Sequence, residues 1–211
     1  MDKAAGWQVV DEERARLAGV LRELTPEEWR AGSLCEGWTV HEVATHLTMA
    51  ALAPNREVLA ASVRARGSFN RMIHDSAVRR AALRPPETVV ADVESTVGSR
   101  RLAPTTFWRD PLLDVLVHGQ DIARPLGRRI VMPVDAALTA LEWTWVRRFP
   151  FFPARRFRGV RLVAEDADWQ RGTGLELRGP AESLLLLSTG RLVALDDVTG
   201  PGAERLVVAR G

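Results

Sequence analysis

Four histidines are present, His41, His46, His74 and His118, and the most informative stands in Asp110-Pro-Leu-Leu-Asp114-Val-Leu-Val-His118-Gly-Gln-Asp121. On a helix, Asp114 and His118 lie one turn apart on one face, and Asp121, seven residues from Asp114, shares it. Leu112, Leu113, Val115, Leu116 and Val117 surround these groups with apolar side chains. Charge on such a helix needs a partner or a metal, because an unpaired buried charge is costly. A second segment, Trp38-Thr-Val-His-Glu-Val-Ala-Thr-His46-Leu47, places Glu42 and His46 four apart. Two such helices side by side gather two imidazoles and at least one carboxylate. That donor set with an open position suits catalytic Zn²⁺, and it also suits iron(II) as a facial triad. A histidine–carboxylate hydrogen bond within each helix, with no metal, accounts for the same spacings. His41-Glu42…His46 is not the zinc-protease H-E-x-x-H, since its histidines are five apart and leave a shared face.

The elements that must carry these residues are legible from punctuation and period. Val9 to Leu24 has a helical period, with Val10, Leu17, Val20, Leu21 and Leu24 mainly on one face. Thr25-Pro26-Glu27-Glu28 sets out an N-cap, a first-turn proline and a capping-box glutamate in order. Thr39-Val40-His41-Glu42 repeats the capping-box spacing and opens a helix toward Leu52, with Pro54 beyond it. Pro85-Pro86-Glu87 opens another toward Arg101. Asp110-Pro111 supplies an N-cap and an N1 proline for the His118 helix, which ends at Arg124-Pro125-Leu126-Gly127. A further helix spans about Pro133 to Phe149. An antiparallel bundle buries these stripes. After the Phe/Pro/Arg stretch 149–158 the texture changes. Val160 to Ala164 and Gly174 to Leu177 read as a hairpin around a polar turn. Gly179-Pro180 starts a leucine-rich helix ending near Gly190, and Pro201 starts a last one. The expected fold class is mainly α: a helical bundle over residues 1–153 and a small α+β domain over 154–211.

Composition limits the function. One cysteine, Cys35, permits neither an intrachain disulfide nor a cysteine-based metal cluster. The N-terminus shows no signal-peptide pattern, and no apolar run approaches the roughly 20 residues of a membrane span. A cytoplasmic protein without membrane partners is expected. The sequence pI is 9.4, yet the formal net charge is only +2. Lys3 is the sole lysine, so arginine's high pKa lifts the pI without a strong positive field. The one basic cluster, Arg147 to Arg158 among phenylalanines, reads as a linker rather than a surface for single strands. No nucleic-acid partner is expected.

Three stretches carry a family resemblance: Leu24-Thr-Pro-Glu-Glu-Trp29, Ser33-Leu-Cys-Glu-Gly-Trp38 through His46-Leu47, and Asp114-Val-Leu-Val-His118-Gly-Gln-Asp121-Ile. In order and spacing they resemble the mycothiol-dependent maleylpyruvate isomerase family, whose metal-binding domain is a DinB-like four-helix bundle. Leu162 to Trp169, Gly179 to Leu187 and Gly190-Arg191 are similar to its small C-terminal domain, so the likeness spans nearly the whole chain. The resemblance implies a divalent metal, zinc foremost, held by His46, Asp114 and His118. Glu42 and Asp121 then orient His46 and His118 through their free ring nitrogens. Where the family's isomerase has glutamate, this chain has the shorter Asp114, which leaves the exact reaction open. The resemblance further implies mycothiol as the low-molecular-weight thiol, activated by the metal to attack a small electrophilic substrate. Isomerisation follows if the thiol adds and leaves, and conjugation follows if it stays. A metal-dependent hydrolase and a non-catalytic binding or regulatory bundle are the rival readings. A monomer and a homodimer both fit.

Other residues read more plainly. Cys35, just before the His46 helix, reads as a small buried hydrophobe. Trp29 and Trp38 anchor its loop, His41 reads as exposed, and His74 has no partner pattern. Trp143 and Trp145, two apart, cannot share a helical face. Arg191, after the helix end at Gly190, is the candidate catalytic residue, placed to meet an anionic substrate or the thiol. A solvated arginine is the plainer alternative.

Overall fold

A computed structural model describes residues 1–103 and 106–208. The chain divides into two compact units, Asp2–Ile130 and Val131–Gly211.

The first unit opens with α1 (Lys3–Arg22), capped by Asp2, whose carboxylate accepts from the Ala5 amide at 2.8 Å. The short α2 (Pro26–Arg30) carries the expected capping box between Thr25 and Glu28. There follow α3 (Val40–Leu52), α4 (Asn55–Arg64), α5 (Phe69–Ala81), α6 (Pro86–Ser95) and α7 (Arg109–Ala123). Helix α1 packs on α6 and α7, and α3 packs on the same two, which closes a four-helix bundle. Its core gathers Leu17, Leu21, Val40, Val43, Ala44, Val89, Val93 and Ile122. Each such aliphatic side chain contributes about 1.5–3 kcal/mol when fully buried.

Several elements differ from the sequence-based expectation. No element was expected between Pro54 and Pro85, yet α5 lies on α3 and α4 lies on α5. Their apolar signal is weak because they bury alanines: Ala61 in α4, Ala77 and Ala81 in α5. Leu59 and Val63 face solvent. Helix α6 stops at Ser95 rather than near Arg101, because Gly98 turns the chain at φ +79°. The buried Arg14 guanidinium donates there to the Thr96 and Ser99 carbonyls. Helix α7 begins at Arg109, so Asp110 is not its N-cap. Asp110 sits in the first turn and accepts from the Phe107 amide at 2.6 Å.

The second unit contains α8 (Val134–Arg147), α9 (Pro153–Arg156), strands β1 (Val160–Ala164), β2 (Gln170–Gly172) and β3 (Leu175–Gly179), then α10 (Ala181–Ser188) and α11 (Pro201–Val208). The boundary expected at 153 is therefore displaced to 130. Helix α8 packs on α10, burying Ala137, Ala140 and Leu141, while α10 buries all of Leu184 to Leu187. Glu142 of α8 also accepts from Trp169 Nε1 at 2.7 Å and from Arg171.

The expected hairpin is partly corrected. Strand β1 pairs antiparallel with β2, but parallel with β3, in the order β2-β1-β3. Gly172 and Gly174, at φ +92° and +116°, let the chain cross the start of β1 between its two neighbours. A Cβ on Gly174 would stand 2.3 Å from the Gly159 carbonyl oxygen, so the crossing requires glycine. The observed class is mainly α with a small three-stranded sheet near the C-terminus, as expected. No helix among the described residues is long and apolar enough to cross a membrane.

Candidate metal centre

The candidate site lies within the first unit, on α3, α7 and the loop between α2 and α3. Helix α7 is apolar around most of its circumference and buries Leu112, Leu113, Val115, Leu116, Val117 and Ile122. That burial carries Asp121 and His118 inward with it. Helix α3 buries Val40, Val43, Ala44, Thr45 and Thr48, and His46 projects beside them. Because both helices pack on α1 and α6, the two histidine faces meet. The His46 and His118 rings stand edge to face with centroids 4.9 Å apart. One ligand atom each from His46, Asp114 and His118 falls within 4.8 Å of the others.

The protonation of His118 follows from its neighbours. Asp121 is fully buried, and its Oδ2 lies 2.8 Å from His118 Nδ1. An ionised carboxylate only accepts, so Nδ1 is the donor. Cys35 Sγ donates to the same Oδ2 at 3.1 Å and lies 3.6 Å from His118 Nδ1. Burial pulls the His118 pKa down, but the hydrogen bonds to Asp121 and Cys35 and the charge of Asp121 outweigh it and push it up to about 10. Without a cation, the ring is therefore an imidazolium at neutral pH.

The sequence-derived residues are distributed as follows. His46, Asp114 and His118 are brought together. Asp121 touches His118. Glu42 is not placed to orient His46: its carboxylate accepts from the Thr39 amide at 2.6 Å and from Thr39 Oγ1 at 3.0 Å. The cap takes this side chain because the first turn of α3 has amide donors left over by the helix. Arg191 belongs to the second unit, where it donates to the Thr189 carbonyl at 2.8 Å and its charge acts on Arg156.

Some neighbours carried no clear signal in the sequence. Cys35 was read as a buried hydrophobe, yet it is half-buried and bonded to Asp121. The Trp38 ring covers His46 at 5.3 Å and stacks on His74 at 6.0 Å. His41 is half-buried rather than exposed, with Nε2 2.9 Å from the Arg84 carbonyl and its ring against Trp29. Only the position of Cys35 and Trp38 just before the His46 helix could have marked them.

Two cavities border these helices. One of about 20 Å³, room for a single water, is lined by Arg14, Leu17, Leu47, Pro111 and Asp114 among others. Another of about 630 Å³ is lined by Leu21, Leu24, Trp29, Arg30, His41 and Val90 among others, and includes none of the converging donors. The donors, rather than the larger volume, identify the candidate site, since ligation depends on converging atoms. Two imidazoles and a carboxylate are borderline donors suited to a divalent transition metal. The donor spread of at most 4.8 Å leaves modest contraction to reach ligand bonds near 2.0–2.2 Å. The residues present fit such an ion.

Fold and site together define a helical-bundle protein with a candidate metal centre in its first unit. Residues 10–111, just under half of the chain, match the mycothiol maleylpyruvate isomerase N-terminal domain. The match contains Cys35, Trp38 and His46 and ends just before Asp114. A crystal structure of the mycothiol-dependent maleylpyruvate isomerase superposes with a TM-score of 0.65 at 13% identity, covering 96% of this chain and 94% of the other. A histidine-to-alanine variant of that enzyme gives a TM-score of 0.64 at the same identity and coverage. At that identity the likeness establishes the shared fold. No curated protein matches the chain.

Proposed function

We propose that this protein is a metal-dependent enzyme that uses mycothiol to isomerise or conjugate a small electrophilic substrate. The observation that carries this reading is the convergence of His46, Asp114 and His118 from α3 and α7 in a chain whose residues 10–111 match the mycothiol maleylpyruvate isomerase N-terminal domain. His46, Asp114 and His118 would hold the metal, zinc foremost, and Asp121 would keep the His118 ring aimed through Nδ1. A divalent metal with an open position lowers the pKa of a bound thiol, supplying a nucleophile near neutral pH. Trp38 shields one side of His46, and the apolar face of α7 keeps the surroundings dry, which strengthens charge interactions at the site. Arg191 is proposed to bind an anionic group of the substrate or thiol. Asp114, one methylene shorter than glutamate, sets its carboxylate closer to α7 and is expected to tune which electrophile is accepted. A cytoplasmic location accords with a thiol cosubstrate that must stay reduced.

Elemental analysis and turnover test this together. One divalent metal per chain is expected in the native protein, with loss from His46→Ala and His118→Ala. Conversion of a panel of small electrophiles should require added mycothiol. Full metal occupancy in both variants would refute the assigned centre. Turnover undiminished without thiol would replace the mechanism with hydrolysis by activated water.

A further inference from the structure

We infer that Cys35 is a positioning residue for the metal centre: its thiol, by donating to the buried Asp121 carboxylate, fixes the His118 ring. The inference rests on the reading of His46, Asp114 and His118 as ligands. Cys35 sits on a loop with its own scaffold. Ser33 Oγ donates to the Trp38 carbonyl at 2.8 Å, the Cys35 amide donates to Ser33 Oγ at 3.1 Å, and the Trp38 amide donates to the Cys35 carbonyl at 3.0 Å. Gly32 bridges Thr39 across the base of the loop. The loop is then fastened to α7 at one residue. The Leu34 amide donates to the Asp121 backbone carbonyl at 3.1 Å, and Cys35 Sγ donates to Asp121 Oδ2 at 3.1 Å.

That oxygen also accepts from His118 Nδ1. Two donors from different elements converge on one oxygen of a carboxylate with no solvent exposure. Each restrains the carboxylate's rotation, and so the plane in which it holds the imidazole. A carboxylate held by His118 alone could swing with the ring. Held by Cys35 as well, it ties the ring to a loop that continues into α3, the helix bearing His46. The thiol thereby couples the two ligand-bearing helices without touching the metal. The same-sized apolar neighbour that a core cysteine usually is would need no acceptor, and here the acceptor is a buried charge.

Chelator competition on purified, metal-loaded protein tests this, with Cys35→Ala, Cys35→Val and Cys35→Ser compared with the native chain. Loss of a group orienting a ligand costs roughly 10–100-fold in metal affinity. Acting one bond further out, Cys35→Ala and Cys35→Val are expected near the lower end, about 10-fold weaker. Cys35→Ser, which keeps a donor, should stay within about 3-fold on the same scale. Cys35→Ala added to Asp121→Asn should cost nothing further. Cobalt-loaded native protein should lack a thiolate-to-cobalt charge-transfer band. Native-like affinity in both Cys35→Ala and Cys35→Val, or an additive double variant, would overturn the inference while leaving the metal centre intact. A thiolate–cobalt band would make Cys35 a ligand and overturn it equally. Failure of the native chain to take up metal would remove the centre itself and the inference with it.

Discussion

Replacing Asp121 by asparagine keeps an acceptor for His118 Nδ1–H but removes the negative charge that holds the ring protonated. In the metal-free protein Asp121, assisted by Cys35, raises the His118 pKa from 6.5 to about 10 against the opposing effect of burial, so the net rise bounds the pH-dependent stability linked to this ring. At about 1.36 kcal/mol per unit this sets a ceiling near 5 kcal/mol. Breaking a buried pair typically costs about 3–5 kcal/mol, in the same range. His118 is 12% exposed and Asp121 not at all, so solvent screens little of it. Because the folded pKa is raised, the stabilisation is complete below about pH 6.5 and is lost as pH rises through about 10. Urea unfolding of the native chain and Asp121→Asn, both in chelator, should show a gap of about 3 kcal/mol near pH 6 that narrows toward pH 10. The difference between the two proteins cancels titrations elsewhere in the chain. A gap that stays constant or widens over that range would refute the ion-pair account of His118. Metal uptake by the native protein should release protons at neutral pH, because the cation replaces the proton on Nε2.

Glu42→Ala should lower stability by about 0.5–2 kcal/mol through loss of the α3 cap, with metal content unchanged, as read by thermal melting and elemental analysis. Asp114→Ala should weaken metal binding more than Asp121→Ala, because Asp114 converges with both imidazoles, whereas of the two imidazoles Asp121 meets only that of His118. Chelator competition ranks the two, and the reverse order would exchange their roles.

What the sequence by itself determined follows from local rules. The apolar period of α1, the Thr25–Glu28 and Thr39–Glu42 capping boxes and the proline starts depend on neighbours three or four residues away. So does the placement of Asp114 and His118 on one face of α7. Signals of this range are written in the chain order, and the mainly α class followed from them. Helices α4 and α5 escaped because their buried contacts are alanines, which mark no stripe. Glu42 showed two compatible roles four and three residues apart, and only the positions of the atoms assigned it to Thr39 rather than His46. The parallel pairing of β3 with β1 was likewise hidden, since alternation reports a strand but not its partner. The placement of α8 with the second unit depended on which leucine-rich face it met. Above all, the approach of His46 to His118, 72 positions apart in the chain, and of Cys35 to Asp121, 86 apart, is a product of helix packing. Chemistry-bearing residues can be nominated from spacing within one helix, but their meeting across two helices is decided by how the apolar faces of α1, α3, α6 and α7 interlock.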